Sequence, residues 1–155
     1  LIAADSEGAY WIGRHGVTKI SKDGSDPIPL HQTDDPDAEW GFGGIAVDQD
    51  RVYFSSLLSA PDCAGESLIL SVPKAGGAAV TISSSPRSSL SRMAVDDAFV
   101  YWTEYDGGRV MRVPKGGGEP EVIACGQALP RGIAVDESFV YWANGDSGTI
   151  MRAAK

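Results

Sequence analysis

Four aspartates recur at one place in a repeated pattern, and their side chains could serve either of two purposes. Each stands five residues before a tyrosine, and they are Asp5, Asp48, Asp96 and Asp136. A carboxylate at such a place can accept hydrogen bonds from the N–H groups of a following turn, which predicts a structural brace. A ring of carboxylates could instead hold Ca²⁺, which takes about 6 to 8 oxygen ligands. We favour the brace, because metal sites rarely occupy the same position of every repeat.

The densest group of oxygen ligands lies in the acidic segment 34–39, between His31 and Trp40. It could bind a cation, but its acids follow no ligand spacing, so we predict a solvated loop. His15 and His31 are the only histidines, and no H-E-x-x-H motif or paired cysteine ligands accompany them. A zinc site therefore has little support. We predict no cofactor, with Ca²⁺ as the alternative.

Other residues with reactive side chains fit no catalytic pattern. The serine-rich stretch 83–89 lacks a nucleophile elbow and a nearby base, and we predict a connecting loop there. Cys63 and Cys125 allow at most one disulfide, and buried free thiols are the default expectation. We predict that glycine turns follow Lys74 and Lys115, and that these lysines keep the strand ends soluble. No catalytic residue is predicted.

The aspartates belong to a repeat that must position everything else. They are separated by 43, 48 and 40 residues, and so are the tyrosines Tyr10, Tyr53, Tyr101 and Tyr141. A second aromatic residue follows each tyrosine, and these are Trp11, Phe54, Trp102 and Trp142. Two landmarks in one register make coincidence improbable, and a period in the forties is typical of β-propeller blades.

Each repeat contains short apolar runs that predict four antiparallel strands, the number in a propeller blade. In the run Val100-Tyr101-Trp102 both faces are apolar, as expected for sheets packed face to face around an axis. The sequence therefore predicts an all-β fold with a single β-propeller region, 1–155. Its repeats are placed at 1–44, 45–92, 93–132 and 133–155, and the last has no fourth run.

About four repeats are few for a ring, since propellers have about 4 to 8 blades. We expect the chain to be a fragment of a larger ring of six to eight blades. Two alternatives stay open. The ring could close with four blades, the last being irregular, or a second copy of the chain could complete it.

Composition excludes several classes of function. The 155 residues carry a net charge of -8, which argues against nucleic acid as a partner, because phosphate binding needs clustered Lys and Arg. No apolar run is long enough to span a bilayer, so we predict no membrane insertion. The 43% of hydrophobic residues can form a substantial core.

Residues 101–104 (Tyr-Trp-Thr-Glu), 141–144 (Tyr-Trp-Ala-Asn) and 130–136 resemble the repeats of YWTD and NHL β-propellers. The strand and turn at 110–117 are similar to those that follow the YWTD motif in bacterial relatives. The resemblance implies a binding or scaffold module that is secreted, periplasmic or on the cell surface. The last position of the motif departs from Asp in every repeat, where the chain has Gly13, Ser56, Glu104 and Asn144.

Propeller loops on one face vary between the repeats and are the predicted binding surface. The candidate ligand-binding residues there are Trp40, Arg92, Tyr105, Arg131, Asn144 and Asp146. Our first hypothesis is a non-catalytic module that recognises a protein or glycan through aromatic and Arg anchors. The alternatives are an enzyme of the propeller lactonase or lyase type, with a channel metal, and a purely structural spacer.

Overall fold

The computed structural model describes residues 1–13, 16–32, 39–58, 65–86 and 88–155, with only the backbone at 39–42 and 58. These residues form four antiparallel sheets, here called blades 1 to 4. Blade 1 contains β1 (Ile2–Ala4), β2 (Gly8–Gly13), β3 (Gly16–Ser21) and β4 (Ile28–Gln32). Blade 2 contains β5 (Glu39–Val47), β6 (Arg51–Leu58), β7 (Glu66–Pro73) and β8 (Val80–Pro86).

Blade 3 contains β9 (Leu90–Val95), β10 (Phe99–Glu104), β11 (Arg109–Pro114) and β12 (Glu121–Ala124). Blade 4 contains β13 (Pro130–Val135), β14 (Phe139–Asn144) and β15 (Thr149–Ala154). Within each blade the strands pair in chain order, as in a meander. The predicted all-β propeller architecture is confirmed, and the array of blades is open between blade 1 and blade 4.

The aromatic pair of each repeat packs the blades against one another. Tyr101 belongs to the core between blades 3 and 4, whereas Trp102 belongs to the core between blades 2 and 3. Neighbouring residues of a strand point to opposite faces, so one pair serves two junctions. The tyrosine of each blade thus faces the next blade, and the residue after it faces the preceding blade.

Several predicted loops are parts of strands. Residues 40–42 lie in β5, and residues 83–86 lie in β8 rather than in a connecting loop. In β5, Glu39 pairs with Leu57 and Trp40 pairs with Ser56 of β6. The pairing of the two strands therefore continues beyond the segment that the sequence predicts as strand. The predicted repeat boundaries at 44/45, 92/93 and 132/133 consequently fall inside the first strand of the next blade.

Bulges interrupt the first strands of blades 2, 3 and 4 at equivalent places. The register shifts between Trp40 and Ile45, opposite Trp102 and Glu104, and between Pro130 and Ile133. A bulge leaves residues unpaired and re-aims their side chains. The first strands of neighbouring blades also contact one another, so they lie side by side along one edge of the array.

A search of the described residues for helices able to cross a lipid bilayer finds none.

Candidate functional site

The recurring aspartates are turn braces, as predicted. Asp48 Oδ1 accepts hydrogen bonds from the N–H groups of Asp50 (2.9 Å) and Arg51 (2.8 Å), which closes the hairpin between β5 and β6. Its Oδ2 accepts one from the hydroxyl of Tyr53 at 2.9 Å. Asp96 and Asp136 have the same arrangement with Tyr101 and Tyr141. Across the described ranges, no three His, Cys, Asp or Glu side chains are grouped so as to hold a metal ion.

The lysine directly after the third strand of blades 2, 3 and 4 clamps its blade to the preceding one, so the expectation that Lys74 and Lys115 keep the strand ends soluble misses their main contact. Lys74 Nζ of blade 2 lies 2.5 Å from Asp5 Oδ2 of blade 1. Lys115 pairs with Asp48, and Lys155 Nζ lies 2.6 Å from Asp96 Oδ2. Each ammonium also stands over the tyrosine ring of the preceding blade, for example 5.8 Å from the centroid of Tyr101 for Lys155. We call this arrangement the Asp–Lys clamp.

The clamp lowers the pKa of its aspartates. Burial raises the pKa of Asp96, but hydrogen bonds from Lys155, two backbone N–H groups and Tyr101 outweigh burial and bring the pKa from 3.8 to about 2. The pKa of Asp48 is lowered by the same balance of causes, and at Asp5, whose pKa is also lowered, burial is outweighed by hydrogen bonds from Lys74 and two backbone N–H groups without a tyrosine. Because the folded pKa lies below the unfolded value, the stabilisation exists above about pH 4 and is lost as the pH falls towards 2.

We expect Asp96→Asn to lower the free energy of unfolding by about 1 kcal/mol more at pH 6 than at pH 2.5. One pKa unit corresponds to about 1.4 kcal/mol, and solvent screening reduces the contribution of this partly exposed pair. Urea unfolding at both pH values measures the difference. Asp97→Asn, an exposed neighbour on the same turn, is the control. An equal loss for Asp96→Asn at the two pH values would contradict the clamp.

A cleft of about 850 Å³ opens at the other end of the molecule, between blades 2 and 3. The lining comes from β5, the end of β6, the start of β7, the β8–β9 connection and the β10–β11 hairpin. Its hydroxyl groups and charged groups are those of Ser55, Ser56, Ser67, Ser88, Ser89, Asp106 and Arg109. The connections between blades and the hairpins between second and third strands therefore lie on one face of the molecule, as predicted. We call this the upper face.

A buried carboxylate anchors one wall of the cleft. The side chain of Glu104 is only 1% exposed, and its Oε2 lies 2.6 Å from both Nε and an Nη atom of Arg109. Its Oε1 accepts hydrogen bonds from Trp102 Nε1 (3.4 Å) and from Ser88 Oγ (3.3 Å). Because two nitrogen atoms of Arg109 contact the same carboxylate, the orientation of its guanidinium group in the cleft wall is fixed. Glu104 thus stands at the motif position of Asp in the YWTD pattern and pairs there with Arg109.

The serines fix the opposite wall and leave one hydroxyl open. Ser55 Oγ accepts a hydrogen bond from the N–H of Gly44 at 2.9 Å, and Ser67 Oγ donates to the carbonyl of Ser88 at 3.0 Å. The Oγ of Ser56 is buried and has no hydrogen-bond partner among the described residues. A buried hydroxyl without a partner is costly, and a ligand or water in the cleft could supply one.

Gly43 keeps this cleft open on the side of blade 2. A Cβ atom added there would come within 1.6 Å of Ser55 Oγ and 3.2 Å of the Cβ of Leu90. Any side chain at this position would displace the wall, so the bulge in β5 needs glycine for close approach rather than for an unusual φ.

Two of the predicted ligand-binding residues meet at the rim of the cleft. The guanidinium carbon of Arg131 lies 4.8 Å from the centroid of the Tyr105 ring, and its Nη2 donates to the Tyr105 hydroxyl at 3.2 Å. Tyr105 directly precedes Asp106 of the lining, and its N–H donates to the carbonyl of Ser89 at 2.8 Å. The carbonyl of Arg131 accepts a hydrogen bond from Thr103. Blade 4 thereby extends the rim of the cleft.

The structure does not bring the other four predicted ligand-binding residues together with this pair. Trp40 pairs through its backbone with Ser56 of the lining. Arg92 is exposed in the bulge of β9 and donates to the carbonyl of Ser91. Asn144, in contrast to the expected loop position, is buried at the end of β14 and donates to Gln127 Oε1 at 3.2 Å. Asp146 is exposed on the β14–β15 hairpin.

Some sequence-based expectations concern residues outside the described ranges, namely His15, Cys63 and residues 34–38. His31 lies in β4, and burial lowers its pKa. Its ring centroid is 5.8 Å from that of Phe54. Cys125, expected to be buried, is an exposed free thiol directly after β12.

Sequence reasoning missed the serines of the cleft. Ser55 and Ser56 occupy the last two positions of the YWTD-like motif, where the other repeats place different residues. Two adjacent serines after an aromatic pair, together with the serine-rich stretch 83–89, were the available signal. The sequence predicts a loop for the whole stretch, whereas residues 83–86 belong to β8, and Ser88 and Ser89 line the cleft.

No family model matches the chain, and no curated protein sequence matches it. Solved structures do. The YWTD β-propeller of the nidogen/laminin complex superimposes with a TM-score of 0.75 at 15% identity, over 99% of this chain and 58% of that one. Streptogramin B lyase gives 0.63 at 17% identity, over 99% and 53%. Oligogalacturonate lyase in complex with manganese gives 0.64 at 9% identity, over 98% and 51%.

These neighbours establish the β-propeller fold of the chain. The chain spans just over half the length of each of them. They include a binding assembly as well as lyases, so the fold by itself is compatible with either kind of function.

Proposed function

We propose that the chain is a non-catalytic propeller module that recognises a protein or glycan through its upper face. Within that face, the cleft between blades 2 and 3 favours a glycan segment. Its volume of about 850 Å³ lies in the usual range of ligand pockets. Its lining combines hydroxyl groups with one carboxylate and one guanidinium, which suits a ligand rich in hydroxyl groups.

One observation carries the proposal. The Ser56 hydroxyl in the cleft has no hydrogen-bond partner among the described residues, whereas Ser67 and Arg109 of the lining are held by hydrogen bonds. The neighbouring walls are held by Glu104, Arg109 and Ser67, so their polar atoms need little reorganisation when a ligand binds. Such preorganisation reduces the entropic cost of binding. At the rim, the stacked pair of Tyr105 and Arg131 offers an aromatic anchor next to the cleft.

A glycan array probed with the 155-residue chain tests the proposal, followed by calorimetry with the oligosaccharide that is best retained. We expect Asp106→Ala to raise the dissociation constant about ten-fold, because a charged hydrogen-bond acceptor is worth about 1.5 kcal/mol. Replacing Tyr105 by Ala should weaken binding to a similar degree. Glu119→Ala, an exposed acid on the turn between β11 and β12, is the matched control.

If the array retains no oligosaccharide, the glycan assignment is wrong, and the same variants then serve in a search for a protein partner. Binding that Asp106→Ala and Glu119→Ala alter equally would remove the cleft from the proposal. A spacer without a ligand predicts that neither search gives a partner.

The competing hypothesis is an enzyme of the lyase type, for which the lyases among the structural neighbours provide the reason. A metal-dependent lyase would copurify with about one equivalent of divalent metal. Elemental analysis of the purified chain therefore discriminates the two hypotheses, since the binding module requires no such metal.

A further inference from the structure

Two arginines flank the upper end of the junction between blades 3 and 4. Arg92 lies in the bulge of β9, and Arg131 lies in the bulge of β13. Thr103 connects the two positions, since it stands opposite the bulge of β9 and its Oγ1 donates to the carbonyl of Arg131 at 2.8 Å. Met93 faces the core between blades 2 and 3, so Arg92 beside it points to the other side of the strand, towards blade 4.

The guanidinium of Arg131 is held in place by two neighbours. Its carbon lies 4.8 Å from the centroid of the Tyr105 ring, and its Nη2 donates to the Tyr105 hydroxyl at 3.2 Å. A Cβ atom added at Gly145 would come within 3.0 Å of Arg131 Nε, so the backbone of the β14–β15 hairpin lies directly against this side chain. A fixed, planar guanidinium with N–H groups left over can bind an anion through two parallel hydrogen bonds.

Neither arginine has a charge partner. Within the described ranges, the basic side chains that form ion pairs are Lys19, Lys74, Arg109, Arg112, Lys115 and Lys155. Arg92 and Arg131 are exposed and do not belong to this group, although Asp106 and Asp146 lie on the same upper face. The Nη1 of Arg92 donates only to the carbonyl of Ser91, at 2.9 Å. Two neighbouring positive charges without a counter-charge favour an anionic ligand.

We propose that Arg92 and Arg131 form an anion subsite, which binds a carboxylate or sulfate group of the glycan held in the cleft. This inference rests on the proposed function, and it makes the ligand of the upper face an acidic glycan. Tyr105 connects the two sites, because it contacts Arg131 and directly precedes Asp106 of the cleft lining. An oligosaccharide in the cleft therefore needs only to pass the β10–β11 hairpin to reach the anion subsite.

The charge of the whole molecule limits how many acidic groups the ligand can carry. The net charge of -8 repels a densely charged polymer. Local attraction still acts, since at physiological salt charges interact over about 8 Å, and an acidic group that touches two guanidinium groups is well within that distance. A glycan in which acidic sugars alternate with neutral ones fits these conditions, whereas a nucleic acid does not.

Nuclear magnetic resonance of the arginine Nε–H groups tests the anion subsite directly, with glucuronate as the carboxylate probe and glucose sulfate as the sulfate probe. Either anion should shift the signals of Arg92 and Arg131 with a dissociation constant of about millimolar order, and neutral methyl glucoside should shift neither. The signal of Arg152 is the internal control. This exposed arginine also stacks on an aromatic ring, 4.6 Å from the centroid of Phe139, and has no ion pair in the part of the chain that the structure describes.

A response to only one of the two anions would support the anion subsite and identify the acidic group that it prefers. Signals of Arg92 and Arg131 that stay unchanged with both anions, or shifts that are equal at all three arginines, would overturn the proposal.

Substitutions separate the charge of Arg131 from the shape of its guanidinium. Arg92→Gln and Arg131→Gln should each raise the dissociation constant for the preferred anion about five-fold, whereas Arg152→Gln should leave it unchanged. Arg131→Lys should retain part of the affinity, because the charge remains while the planar fork is lost. Equal affinities of Arg131→Gln and Arg152→Gln would contradict the anion subsite.

The glycan array distinguishes this inference from the proposed function. Retention of acidic oligosaccharides by the wild-type chain, with loss of retention in a chain carrying both Arg92→Gln and Arg131→Gln, would support both. Retention of neutral oligosaccharides alone would leave the glycan-binding function intact and overturn the acidic ligand. If no oligosaccharide is retained although glucuronate shifts both arginine signals, the anion subsite stands and the glycan assignment is wrong.

Discussion

Trp102→Ala is expected to lower the free energy of unfolding by about 4 kcal/mol, the range found for large aromatic residues in protein cores. The indole is 1% exposed between blades 2 and 3, packed with Ala46, Met93 and Met111. Its removal leaves a cavity that rigid sheets on both sides can fill only partly. Urea unfolding followed by circular dichroism gives the value.

The control is Trp11→Ala, which changes the same position of the repeat in a different setting. Trp11 lies on the outer face of blade 1 and is half-buried, so we expect a loss of about 1 kcal/mol. Equal losses at the two positions would show that the cores between blades do not stabilise the fold as described.

Glu104→Ala should be the second most damaging change, with a loss of about 2 to 3 kcal/mol. Breaking a buried ion pair typically costs about 3 to 5 kcal/mol, and the loss is smaller here because Arg109 is 43% exposed and water can solvate it. The indole N–H of Trp102 and the hydroxyl of Ser88 would lose an acceptor as well. Denaturant unfolding measures the stability.

Glu121→Ala is the matched control for this change, because Glu121 also pairs with an arginine of β11. Its Oε2 lies 2.8 Å from Nη2 of Arg112, but its side chain is exposed, so the expected loss is below about 1 kcal/mol. If Glu104→Ala were no worse than Glu121→Ala, burial would not be what makes the carboxylate of Glu104 important. Glu104→Gln should fall between the two, since the amide oxygen still accepts hydrogen bonds.

The residues of the proposed binding face could be predicted only in part. Tyr105 and Arg131 were identified because they differ between repeats while the strand residues recur, and the structure brings them into contact at the cleft rim. Asn144 followed from the same reasoning and proved to be buried, because its amide bonds to Gln127, a residue of the connection between blades. A position that differs between repeats can be recognised in the sequence, but the sequence does not tell whether its side chain faces water or a neighbouring blade.

The sequence by itself determined the features that depend on neighbouring residues. The repeat period specified the blades, the alternation of Tyr101 and Trp102 specified that both faces of a blade are apolar, and Asp96 braces a turn within three residues of itself. These features are local, since a hydrogen bond across a hairpin or the side of a strand is set by a few adjacent residues.

Only the tertiary structure decided which distant residues meet. Lys155 reaches Asp96 across 59 residues, although a lysine directly after a strand looks like an ordinary surface residue. Ser56, Ser88 and Arg109 come from separate strands and loops, and only the stacking of blade 2 on blade 3 forms a cleft from them. The reason is physical: the angle and offset between packed sheets depend on all side chains of the junction at once, and no short stretch of sequence encodes them.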